Sequence, residues 1–132
     1  MGSSSPLLEV VATTPTDLWN DSCAAAELEY ALANGATGAT SNPPLVLDVL
    51  RQEPEPWTRR AREAYATTPG ATESDVAWRV AEAIAVRGAG LLEPVFRQTA
   101  GQKGRLSIQV SPVLYRDAAA MVAQAAHFDG LA

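Results

Sequence analysis

The stretch Gly35–Leu50 reads GATGATSNPPLVLDVL. A short run of small and β-branched residues, Ala36 to Thr40, stops at Asn42-Pro43, and an apolar helical pattern follows at once through Leu45, Val46, Val49 and Leu50. Proline at the start of a helix costs no hydrogen bond, because the first N–H groups have no intrahelical partner. The pattern is that of a buried parallel strand that delivers a polar side chain to the rim of an α/β barrel and then turns into its covering helix.

Working outward, the same alternation recurs. Asp17 to Asn20 reads as a brief strand, and Asp21 or Ser22 is placed to cap the helix Ala24 to Asn34, which Gly35 ends. The helix after Pro43 gives out before Pro54 and Pro56, and Trp57 to Ala66 is a short arginine-rich amphipathic helix. Thr72 or Ser74 caps a longer helix whose inward face is Val76, Val80, Ala83, Ile84 and Arg87. Gly88 and Gly90 weaken its middle by roughly 1 kcal/mol each, and Pro94 predicts a kink or a new start. Arg105 to Val110 is a third strand closed by Pro112, and Arg116 to Phe128 a last helix. Leu7 to Ala12 fits a strand or a short helix. Strands separated by helices imply parallel pairing with right-handed crossovers.

Composition narrows the options. The 132 residues are 47% apolar, enough for one core, whereas a complete eight-fold barrel needs roughly 250 residues. The expected fold is therefore α/β, a partial (β/α)8 barrel over residues 16–132, behind a lead-in of residues 1–15 that is disordered at Met1 to Pro6. The net charge is -5, and only Arg59, Arg60 and Arg62 cluster, as the solvated face of a helix. No basic stripe suggests nucleic acid, and no apolar run approaches the ~20 residues that span a bilayer. A single cysteine, Cys23, forms no internal disulfide, which suits a reducing cytoplasm; it reads as a small packed residue. One histidine and one cysteine make no usual metal cluster, and the glycines match no phosphate or dinucleotide loop. Neither metal nor cofactor is expected.

In a parallel barrel, catalytic side chains stand at the carboxyl ends of the strands. Asp21, Asn42 and Gln109 occupy such positions. Each also has a structural role open to it: Asp21 as a helix cap, Asn42 as the stabiliser of the turn before Pro43, Gln109 as a satisfied polar group.

The segments Leu18-Trp19-Asn20-Asp21-Ser22, Thr40-Ser41-Asn42-Pro43 and Gln109-Val110-Ser111-Pro112, in this order, resemble the first three strands of the transaldolase family, and the likeness runs from Thr16 onward. The resemblance implies that Asp21 is the acid/base of carbon–carbon cleavage, that Asn42, with Thr40 and Ser41, positions a sugar-phosphate substrate of the fructose 6-phosphate or sedoheptulose 7-phosphate class, and that a lysine on a fourth strand forms a Schiff base. It also implies transfer of a dihydroxyacetone unit within pentose phosphate metabolism. Two departures stand out. Gln109-Val110-Ser111-Pro112 replaces the family's Glu-Val-Asp-Pro, and a carboxamide cannot accept a proton from water at neutral pH. The family's lysine has no counterpart before Ala132, since the only lysine is Lys103 in the loop Gly101 to Gly104; the late phosphate-binding arginine is missing as well. The chain alone is therefore expected to be inactive. The alternative is a non-catalytic half-barrel that self-associates through its exposed edges or docks on a partner.

Overall fold

The computed structural model describes residues 5–131. Within them lie α1 (Pro6–Thr13), β1 (Leu18–Asn20), α2 (Ala25–Ala33), β2 (Ala36–Ser41), α3 (Pro43–Gln52), α4 (Pro54–Thr67), α5 (Glu73–Gln98), β3 (Arg105–Ile108) and α6 (Ala118–Asp129), with a single 3-10 turn at Pro112–Leu114. Three strands form one sheet in the order β1-β2-β3, and both pairs are parallel. This is an α/β chain consistent with part of a TIM-type fold. The expected disordered lead-in lies, for its first four residues, outside those described; Pro6 already opens α1, so the Leu7–Ala12 ambiguity resolves as helix.

The register fixes which side chains share a face. Trp19 pairs with Gly38 and Asn20 with Ala39; Thr40 pairs with Ser107 and Ser41 with Ile108. Alternation then puts Ala39, Ser41, Leu106 and Ile108 on one face and Trp19, Thr40 and Ser107 on the other. The first face carries the core. Leu28 of α2, Ala39 of β2 and Leu92 of α5 pack as one buried cluster. Cys23, Ala24, Val49, Trp57, Val80 and Ile84 form a second, which joins the β1–α2 loop to α3, α4 and α5. Leu106 touches both.

Several boundaries differ from expectation. Pro54, not Trp57, opens α4, so Glu53 alone separates α3 from α4. The longer helix does not break at Pro94: α5 is one helix of 26 residues. Pro94 is exposed, so its ring meets solvent, while Leu92 two residues earlier is fully buried and holds the helix on the sheet. Gly88 has a packing reason within α5, because a Cβ there would stand 3.1 Å from Cys23 Cβ and 3.4 Å from Leu106 Cδ2. β3 ends at Ile108 rather than Val110, although one further bond, Gln109 N–H to Ser41 C=O at 3.2 Å, prolongs the ladder.

Candidate active site at the strand ends

Asp21 follows the last residue of β1 and does not cap α2. The helix starts from Ala24, which has no capping side chain. Ser22 Oγ instead accepts from Ala24 N–H at 3.1 Å, and Asn20 Nδ2 donates to Ser22 C=O at 2.8 Å. The Asp21 carboxylate is thereby left for another partner: it accepts the Thr40 hydroxyl at 2.5 Å, across from β1 to β2. A short O–H···O⁻ bond of this kind aims the carboxylate and leaves its second oxygen unengaged by Thr40.

Asn42 stands one residue past β2. Its Oδ1 accepts from Leu45 N–H at 2.9 Å and caps α3, a bond whose loss typically costs about 1 kcal/mol. The cap occupies the oxygen only and fixes the side chain at the carboxyl end of the sheet, where the amide nitrogen remains a donor. Gln109 follows the last residue of β3, exposed, with its backbone tied to Ser41.

Ser41 is turned the other way. It is buried, and Cys23 Sγ donates to its Oγ at 3.6 Å. Burial pushes the Cys23 thiol up from its ordinary value, which keeps it in the unreactive thiol form. Asn42, Ser41 and Gln109 border a cavity of about 710 Å³ whose remaining walls are mostly apolar, Val46, Leu50, Trp57 and Ile108 among them; Asp21 and Thr40 do not line it. Asp21 and Thr40 are thus hydrogen-bonded to each other, whereas Asn42 and Gln109 share the wall of the cavity.

Lys103 lies at the other end. It pairs with Asp17 at 2.6 Å, just before β1. Lys103 precedes β3 and Gln109 follows it, so the two stand at opposite ends of that strand. No group of three His, Cys, Asp or Glu side chains among the described residues is arranged to hold a metal ion, and no described helix is long and apolar enough to cross a membrane.

Sequence reasoning missed one polar centre. Glu53 and Arg87 form a two-point ion pair in which Arg87 Nη1 meets Glu53 Oε2 and Nη2 meets Oε1 at 3.1 Å. The guanidinium also lies 4.7 Å from the Trp57 ring centre. The available signal was an arginine on the inward face of a helix. Hydrogen bonding from Arg87 is the main reason the Glu53 carboxyl lies below its ordinary 4.5. A carboxyl depressed on folding stabilises the fold above the unfolded value and loses that contribution as pH falls through the folded one. We therefore expect the difference in melting temperature between the native chain and Glu53→Gln to be widest above about pH 5 and to shrink below pH 4.5. Asp75, lowered chiefly by the Thr72 hydroxyl, acts in the same direction but is common to both proteins. A difference that does not change with pH in a thermal melt series would contradict this assignment.

Comparison with known proteins gives one family match: residues 18–131 fit the family model described as transaldolase/fructose-6-phosphate aldolase. Among curated proteins nothing matches.

Proposed function

Because the chain belongs to the transaldolase/fructose-6-phosphate aldolase family, we propose that it carries the acid/base and substrate-positioning part of a site that transfers a dihydroxyacetone unit between sugar phosphates. In this reading Asp21 removes and returns the substrate hydroxyl proton as the carbon–carbon bond breaks and forms. Thr40 orients that carboxylate. Asn42, held by its own helix cap, offers its amide nitrogen to a substrate hydroxyl. Gln109 binds a water but does not take its proton. The reading is of transferase chemistry on a ketose phosphate, with a cytoplasmic site of action that fits a single buried cysteine.

The observation that supports it most is the Thr40–Asp21 hydrogen bond between adjacent parallel strands at their carboxyl ends. That is where a barrel gathers its reacting groups. Imine formation is not assigned to Lys103, which is paired to Asp17 at the opposite end of the sheet. Borohydride reduction in the presence of fructose 6-phosphate is accordingly expected to leave the 132-residue chain unmodified by mass spectrometry and without transaldolase activity. A stable three-carbon or six-carbon adduct on Lys103 would overturn this division of labour.

A further inference from the structure

Between Asp21 and α2 runs a turn in which two backbone groups are satisfied from distant parts of the chain. Ala25 N–H, one of the donors that a helix start leaves without an intrahelical partner, is accepted by Glu53 Oε1 at 3.2 Å. Cys23 C=O accepts from Arg87 Nη2 at 3.4 Å. Cys23 and Ala24 are almost fully buried and Ala25 is half-buried, so the turn is packed against the core on both sides of these two bonds. Glu53 comes from the α3–α4 junction and Arg87 from the middle of α5. Their mutual fork fixes the acceptor and the donor at one spacing.

We infer that Arg87 and Glu53 are a positioning pair which locks the β1–α2 turn and so sets the direction of the Asp21 carboxylate toward Thr40, a role that rests on the acid/base reading of Asp21. The geometry makes the pair chemically specific rather than a generic electrostatic link. Ala25 N–H requires an acceptor and Cys23 C=O a donor, roles that Glu53 and Arg87 fill and that the exchanged pair would reverse. Lysine would not serve at 87, because one ammonium on a flexible stem lacks the planar fork that reaches Glu53 and Cys23 together. The depressed Glu53 carboxyl agrees with a charged, well-satisfied acceptor. Trp57 closes the pair on the apolar side, where its ring faces the guanidinium.

The test compares Arg87→Met, Glu53→Gln, Arg87→Lys and the reversed pair Glu53→Arg/Arg87→Glu with the native chain by amide hydrogen exchange and by the 13C carboxyl resonance of Asp21. Arg87→Met is expected to speed exchange of the Cys23, Ala24 and Ala25 amides about tenfold or more relative to those of α6, and to shift the Asp21 resonance. Arg87→Lys and the reversed pair should fail to restore either. Should Arg87→Met not fold, Glu53→Gln gives the same readouts with a smaller change at Ala25. Unchanged turn exchange in the folded variants would overturn the inference, as would full rescue by the reversed pair, which would mark an ordinary ion pair. No sugar is present in these measurements. A locked turn in a protein indifferent to sugar phosphates would therefore count against the functional reading while leaving the clamp in place.

Discussion

Replacing Gly104 by alanine is expected to destabilise the chain by more than about 3 kcal/mol, among the largest effects a single methyl group produces. Gly104 precedes β3 with φ +77°, a left-handed conformation that costs a side-chain-bearing residue roughly 1–2 kcal/mol by itself. Space is the larger obstacle. A Cβ would overlap the Phe96 backbone nitrogen and stand 2.7 Å from Phe96 Cα and 2.9 Å from Leu92 C=O. These are backbone atoms of α5, so relief requires β3 to move away from the helix that covers it. The Gly104 N–H donates to Thr37 C=O at 2.7 Å, and the same movement would break that bond at the start of the β2–β3 ladder. Gly70 is the control. It has φ +82° but nothing within 4 Å of an added Cβ, so Gly70→Ala should show the conformational cost alone. Urea denaturation of the two variants separates the terms, and equal midpoints would contradict the close approach of β3 to α5.

Leu92→Ala carries the second large expectation, a loss of about 2–5 kcal/mol. Leu92 is fully buried, and with Leu28 and Ala39 it makes the cluster where α5, α2 and β2 meet. Truncation removes the apolar transfer energy and leaves a cavity, since Ala39 is too small to fill the space and both helices are anchored elsewhere. Leu47 lies on α3 at 46% exposure, and its replacement should stay within about 0.5 kcal/mol. Chemical denaturation reads both, with an unchanged dependence on denaturant showing that the folded state is otherwise retained. A Leu92→Ala variant as stable as Leu47→Ala would mean that α5 does not cover the sheet through this residue.

Much of the architecture was legible because strong local signals coincide with its boundaries. Gly35 at φ +95° ends α2 where the sequence placed a left-handed cap, Asn42 and Pro43 open α3, and Thr72 with Asp75 builds the capping box of α5. The errors arose where tertiary contact outweighs a local rule. Pro94 reads as a kink or a new start, and the new start does not occur: burial of Leu92 carries α5 past it. Asp21 and Ser22 both suit a helix cap by type, but Glu53, 28 residues away along the chain, supplies the acceptor at Ala25. No local pattern reveals a cap delivered from such a distance.

The strand-end residues were legible in part. Spacing placed Asp21, Asn42 and Gln109 at three strand ends, but it could not separate structural from chemical duties. The coordinates do so unevenly: Asn42 caps its helix, Asp21 does not, and Ser41 turns into the core to meet Cys23. The Thr40–Asp21 contact depends on which residues face one another across two strands, and that register is not written in either strand alone.

The central proposal, that Asp21 with Thr40 and Asn42 with Gln109 bind a ketose phosphate at the carboxyl ends of the strands, is tested most directly by titrating the 15N-labelled chain with fructose 6-phosphate. The account predicts saturable shifts concentrated at these four residues, lost in Asp21→Asn and Asn42→Ala variants that remain folded. Shifts scattered over the surface, or confined to the Asp17–Lys103 end of the sheet, would contradict it.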